Sequence, residues 1–182
     1  QKFRDGFYHS GDLGHIRIVK GKRYLFFNGR TDDWIRKDGE NFSAENVLHY
    51  VQQMPGVDCA VAYGAPCEVS DEKVMVTIQL KKGESFDPDE VHAWLLRQQR
   101  ECGMDPKWMP DFIRVVESFP VTDTHKIPVR PYKREHYNIE RNPMMRIYCR
   151  GRGESGYHLL TPDEYQAIKA CFIRNGRESL LW

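Results

Sequence analysis

The segment from Asn28 to Val47 constrains the chain most, because it must turn repeatedly before it becomes helical. It holds five acidic residues, three basic residues and two glycines, Gly29 and Gly39, and ends in an amphipathic stretch. Ser43 is a good helix N-cap, and Val47, Tyr50, Val51 and Met54 follow at the spacing of one apolar helix face. This predicts a helix over 44–54, stopped by Pro55-Gly56. Upstream, His15 to Val19 and Tyr24 to Phe27 are strand-prone stretches around Lys20-Gly21-Lys22, which predicts a β-hairpin over 15–28.

Downstream the period changes from helical to extended. Val57 to Gly64 reads as a strand, and Lys73 to Leu80 as another, with Val74, Val76, Ile78 and Leu80 on one face and Thr77 and Gln79 on the other. Asp87-Pro88-Asp89-Glu90 is a capping-box sequence with proline at the first helical position. The helix it opens buries Val91, Trp94 and Leu95, and Gly103 ends it. Asp111 to Val116 is a short strand, a polar turn over Thr122 to His125 precedes Lys126, and Pro131 opens a short helix. Residues 32–135 therefore read β/α/β/β/α/β/α, an α+β domain with a small mixed sheet flanked by helices. Residues 1–31 carry the hairpin. Residues 136–182 read as an extension. In it, Met144 to Cys149 and Tyr157 to Leu160 pair around Gly151-Arg152-Gly153, and a helix follows Thr161-Pro162-Asp163-Glu164 with Tyr165, Ile168 and Phe172 on one face.

Composition removes several function classes. The chain has 182 residues, and at 40% hydrophobic and 29% charged it is globular rather than disordered. Lys+Arg 27 against Asp+Glu 26 leaves a formal charge of +1, which argues against nucleic acid or an acidic membrane surface as a partner. The arginines of 141–152 are the one feature favouring nucleic acid, and the charge balance outweighs them. No apolar run is long enough to span a bilayer, and no signal-peptide pattern is evident. Five scattered cysteines without a C-x-x-C pair read as reduced thiols, which implies a cytoplasmic protein. The histidines do not fall at metal-ligand spacing, so no metal site is expected. The first residue is Gln1, and Phe3 to Phe7 reads like the interior of a protein, so the chain is expected to be a fragment.

Three motifs stand in order: Tyr8-His9-Ser10-Gly11-Asp12-Leu13, the Asn28–Val47 segment, and Pro120-Val121-Thr122-Asp123-Thr124-His125-Lys126-Ile127. Together they resemble the C-terminal portion of the acyl-adenylate-forming (AMP-binding) enzymes, the superfamily of acyl-CoA synthetases, luciferases and peptide-synthetase adenylation domains. Alone, Asp12 is an ordinary turn aspartate or a diol acceptor, since two carboxylate oxygens beside a glycine can take two hydroxyls. The resemblance makes it the residue that holds the ATP ribose, with Ser10 in place of the usual threonine. Arg30, by itself a surface arginine, becomes a second ribose contact. Asp32 matches the hinge about which the small domain rotates between half-reactions. Gly39 is a turn glycine that matches the residue lining the pantetheine tunnel. Lys126, by itself a solvated loop lysine, matches the lysine that bridges the acyl carboxylate and the α-phosphate. His125 stands where glycine is usual, and Asp123 adds a negative neighbour.

Gly39-Glu40-Asn41 resembles the version in long-chain and very-long-chain fatty acyl-CoA synthetases, including the fatty-acid transport protein branch, and Leu160-Thr161-Pro162-Asp163-Glu164-Tyr165 resembles that branch's extension. The implied reaction joins a fatty acid and CoA through an acyl-AMP intermediate, with release of AMP and pyrophosphate. The implied small molecules are fatty acid, ATP, CoA and Mg²⁺. The Mg²⁺ ligands lie outside this chain, which lacks the phosphate loop and the acyl pocket, so residues 1–182 alone are expected to be inactive. The remaining implied partners are the protein's own large N-terminal domain, of which the resemblance makes residues 1–31 the end, and a peripheral membrane contact of the parent. The competing reading, prompted by Thr124-His125-Lys126, is a lid-like module that has lost adenylation and binds a carrier or protein partner.

Overall fold

In the computed structural model, residues 3–120, 126–151, 153 and 156–182 are described, Asp32 by its backbone only. A short hairpin, β1 (Phe3–Arg4) and β2 (Phe7–Tyr8), leads into a long one, β3 (Asp12–Val19) and β4 (Lys22–Arg30). Lys20 and Gly21 form its two-residue loop with φ of 49° and 74°, the left-handed pair that matches strand twist. A 3₁₀ turn over Thr31–Asp33 follows. Then comes a second hairpin, β5 (Trp34–Lys37) and β6 (Glu40–Ser43), where the sequence indicated a turn-rich segment and a single β element. The signal was present: Asp38-Gly39 is a hairpin dipeptide, and its φ values of 51° and 78° are again the left-handed pair. Ile35 of β5 is fully buried, so this hairpin belongs to the core.

Helix α1 (Ala44–Val51) starts where Ser43 accepts a hydrogen bond from Glu45 N at 3.2 Å. Strands β7 (Val57–Pro66) and β8 (Glu72–Leu80) pair antiparallel. Helix α2 (Pro88–Glu101), capped by Asp87, then carries the chain to β9 (Phe112–Val116), which runs parallel to β8. A crossover helix is what a parallel pair requires. The polar turn expected at Thr122–His125 lies outside the described residues. Helix α3 (Val129–Glu135) begins two residues before Pro131. Proline is tolerated there because first-turn N–H groups have no intrahelical partner.

Strands β10 (Arg146–Cys149) and β11 (His158–Leu159) pair as the sequence predicts, and β10 also pairs antiparallel with β9. The sheet order is therefore β11-β10-β9-β8-β7, a mixed five-stranded sheet that includes strands from beyond residue 135. Helix α4 (Pro162–Arg174) follows, and Thr161 and Glu164 make both arms of its capping box.

Alternation along the strands feeds two cores. Val74, Val76 and Ile78 of β8 pack with Val47 and Val51 of α1 and Leu95 of α2. Met75 points the other way, into a cluster with Tyr132 of α3, Tyr137, and Tyr165 and Phe172 of α4. Thr77 is also fully buried, its Oγ1 2.9 Å from the Tyr63 hydroxyl. Each fully buried large apolar side chain contributes roughly 1.5–3 kcal/mol, and covering both faces roughly doubles the number that do so. The β3–β4 hairpin contrasts sharply, with Ile18 73% and Leu25 79% exposed. No helix among the described residues is long and apolar enough to cross a membrane.

Candidate functional site

The Ser10-Gly11-Asp12 turn is closed by the end of β4. Ser10 Oγ accepts from Asp12 N at 3.1 Å, which fixes the entry to β3. The Gly11 carbonyl accepts from Thr31 N at 2.9 Å and from Thr31 Oγ1 at 3.3 Å. The Ser10 carbonyl accepts from an Arg30 guanidinium nitrogen at 3.2 Å. Asp12 and Arg30 are partners in the β3–β4 register, and Arg30 Nε lies 3.1 Å from Asp12 Oδ1. The two residues the sequence singled out, eighteen positions apart, thus form one charged clamp. Both side chains remain about half exposed, at 46% for Asp12 and 53% for Arg30, so both can still meet a ligand.

Gly29 sets the position of Arg30. Its φ is +92°, and a Cβ there would collide with Ser43 Oγ, the cap of α1. The close approach locks the end of β4 onto the start of α1, and only glycine permits it. Asp32 sits in the 3₁₀ turn directly after Arg30, between the exposed hairpin and the buried one.

Gly39 occupies a different surface, the tip of the β5–β6 hairpin. Its N–H donates to Asp71 Oδ2 at 2.9 Å, and a Cβ there would meet nothing within 4 Å. The tip is held from below. Arg36 N donates to Glu72 Oε2 at 2.9 Å, Arg36 pairs with Asp71 at 3.1 Å, and Lys37 Nζ lies 2.6 Å from Asp111 Oδ2. Beside it opens a polar cavity of about 480 Å³ whose lining includes Lys37, Glu68, Lys73, Asp111 and Arg150. Burial pushes the Glu68 carboxyl up, but its hydrogen bond and ion pair with Lys73 outweigh that and hold it below the usual range. No local pattern marks this cavity, because its lining comes from four separated stretches. Lys126 is exposed at the start of the segment leading to α3. Its neighbours Asp123 and His125 lie outside the described residues.

This arrangement offers a carboxylate and a planar donor fork side by side, a pinned hairpin turn with open space beside its glycine, and an exposed lysine on the approach to α3. The pair can bind a vicinal diol, the carboxylate by accepting and the guanidinium by donating.

No protein-family model matches the chain. Among curated proteins it is 32% identical to a steroid-22-oyl-CoA synthetase of Rhodococcus jostii (strain RHA1) over 180 residues, 99% of this chain and 31% of that protein. It is 34% identical to a medium/long-chain-fatty-acid–CoA ligase of Mycobacterium marinum over 127 residues, 70% of this chain and 24% of that one. The chain thus spans a third or less of the length of these relatives, which as a group include acyl-CoA synthetases and fatty acid transport proteins. Among solved structures, ATP-bound MatB from Rhodopseudomonas palustris superposes with a TM-score of 0.59 at 26% identity, covering 72% of this chain and 26% of that one. The mixed sheet and its helices match the C-terminal domain of such adenylate-forming enzymes.

Proposed function

We propose, for a chain that belongs to the acyl-adenylate-forming enzymes, that it forms the ribose clamp and lid of an ATP-dependent fatty acyl-CoA synthetase. The observation that carries this is the Asp12–Arg30 pair, 3.1 Å apart and half exposed at the junction before the mixed sheet. Asp12 accepts hydrogen bonds from the ribose hydroxyls of ATP, and Arg30 orients the carboxylate while donating to the same sugar. ATP would supply the adenylyl group that the acyl carboxylate takes up at the α-phosphorus, with pyrophosphate as the leaving group. Mg²⁺ would be held by residues outside this chain.

Lys126 stabilises charge on the acyl carboxylate and the α-phosphate, a task suited to a point charge on a flexible stem. Asp32 is the hinge, because the turn it occupies is the short link between two hairpins of opposite exposure. Gly39 admits the pantetheine arm of CoA, and the open space where its Cβ would lie supports that role. The exposed apolar residues of β3 and β4 fit a surface covered by the rest of a longer protein. The preference for long acids rests on Gly39-Glu40-Asn41 and on Leu160 to Tyr165.

The test is pyrophosphate release by the full-length protein with ATP, Mg²⁺ and acids from acetate to very long chains, comparing wild type with Lys126→Ala. Turnover that peaks on long acids and falls at least ~100-fold in the variant is the expected result. Turnover indifferent to the substitution, or absent on every acid, would replace this reading with a lid that only binds a partner.

A further inference from the structure

At the β11 edge of the sheet, three metal-ligating side chains from three elements meet at one point. Cys149 ends β10 and lies directly across the ladder from His158 of β11. Cys149 Sγ is 3.3 Å from His158 Nε2, and the same nitrogen is 2.6 Å from Glu164 Oε1 on the first turn of α4. The three donor atoms all lie within 4.8 Å of one another. Their sequence spacings of nine and six residues match no metal motif, which is why the sequence indicated no site.

The geometry separates two chemistries. A thiol–imidazole–carboxylate relay needs the thiol on one ring nitrogen and the carboxylate on the other. Here both converge on Nε2, which carries at most one proton and cannot serve both. Convergence of a sulfur, a nitrogen and an oxygen on a shared point is the arrangement that a cation completes. We propose that Cys149, His158 and Glu164 form a binding site for a thiophilic divalent cation of the zinc class, with a fourth position open to water.

Bond lengths support the assignment. Zinc takes sulfur at about 2.3 Å and nitrogen or oxygen at about 2.0–2.2 Å, which places tetrahedral ligands about 3.4–3.6 Å apart. The Sγ–Nε2 pair is already at 3.3 Å. Glu164 needs to withdraw by less than about 1 Å to make room. Its other oxygen is pinned, since Oε2 accepts from Thr161 N and Thr161 Oγ1, both at 2.8 Å. Cys149 is buried while His158 is exposed, which gives the site an apolar floor and an open entrance. A bound ion would tie the β10–β11 corner to the start of α4 and fix the last helix on the sheet.

The experiment uses Co²⁺ alone as a spectroscopic stand-in, titrated into chelator-treated full-length protein, followed by displacement with Zn²⁺. The expected result is a near-ultraviolet thiolate-to-cobalt band, with tetrahedral visible bands, saturating at one ion per chain. Cobalt at an all-oxygen nucleotide site gives no such band. Cys149→Ser should abolish the band. His158→Gln should weaken binding at least ~100-fold, beyond the 10–100-fold typical of outer-shell changes. Glu164→Gln keeps the helix cap and should weaken binding roughly 10-fold. Cys102→Ser, at an exposed thiol, should change nothing. If Cys149→Ser does not fold, the two surface variants decide alone. A missing thiolate band at stoichiometric Co²⁺, or binding indifferent to His158→Gln, overturns the site.

Discussion

Lys37 Nζ and Asp111 Oδ2 lie 2.6 Å apart with both side chains mostly buried, and this contact fastens the β5–β6 hairpin to the start of β9. The same carboxylate oxygen accepts from Val74 N at 2.8 Å, so Asp111 joins three strands. Removing one member of a buried, hydrogen-bonded ion pair strands the other. Asp111→Ala is expected to lower the unfolding free energy by about 3 kcal/mol. Lys37→Met should lower it less, since Asp111 keeps the Val74 N–H. Urea denaturation of both single variants and the double variant measures the coupling. Strictly additive losses would mean that the contact contributes nothing as a pair.

Gly29 carries a second, independent constraint. With φ of +92° and Ser43 Oγ where a Cβ would go, Gly29→Ala must both strain the backbone and displace the α1 cap. The expected loss is about 1–3 kcal/mol from backbone strain alone. Gly39→Ala shares the positive φ of +78° but meets no neighbour within 4 Å, so it should lose less. Thermal melts of the two variants check the ranking. Equal losses would show that the Ser43 contact relaxes freely.

Much of this architecture was legible because local chemistry and tertiary demand agree. Ser43, Asp87 and Thr161 cap the helices that the sequence placed after them, and the Val74–Val76–Ile78 alternation faces α1 and α2. The β5–β6 hairpin was harder to see because Lys37, Asp38 and Glu40 surround the turn with charge, and only Ile35 and Phe42 mark its buried side. Joining β10 to β9 rests on long-range pairing, which no local pattern encodes. The same holds for the site. Asp12 and Arg30 could be chosen by motif, but their ion pair depends on the β3–β4 register and on the glycine approach at Ser43. Cys149, His158 and Glu164 converge only after a strand pair and a capping box have formed.

His136 gives the fold a pH dependence. It is buried at the end of α3, edge-on to Tyr137, and its Nδ1 has no hydrogen-bond partner. Burial, with Arg141 adding repulsion and the Leu181 backbone opposing them, lowers its pKa from 6.5 to about 4. The unfolded chain therefore binds a proton that the native fold does not, between about pH 4 and 6.5. This contribution is fully present above pH 6.5 and is lost as the pH falls toward 4. At 1.36 kcal/mol per unit it amounts to about 3 kcal/mol. His136→Asn, which leaves no imidazole to take up the proton, should flatten stability across this window. Urea midpoints from pH 4.5 to 7.5 measure it, and an unchanged slope in the variant would assign the acid sensitivity elsewhere.

The clamp itself makes the sharpest functional prediction. If Asp12 and Arg30 hold the ribose, their loss must fall on ATP and spare the acid. Asp12→Asn keeps the size but removes the charge that pairs with Arg30 Nε at 3.1 Å. A hydrogen bond to a charged group is worth about 1.5–3 kcal/mol, so the KM for ATP should rise roughly 10- to 100-fold. Arg30→Lys should behave similarly, because an ammonium cannot reach both the Ser10 carbonyl and the Asp12 carboxylate as a planar fork does. The KM for the fatty acid should stay within about two-fold, since uniform loss of one substrate's binding leaves the other's untouched. Initial-rate kinetics of the full-length protein, varying each substrate in turn, separate the outcomes. An equal rise in both KM values would mean that the pair only braces the β3–β4 hairpin and that the nucleotide is held elsewhere.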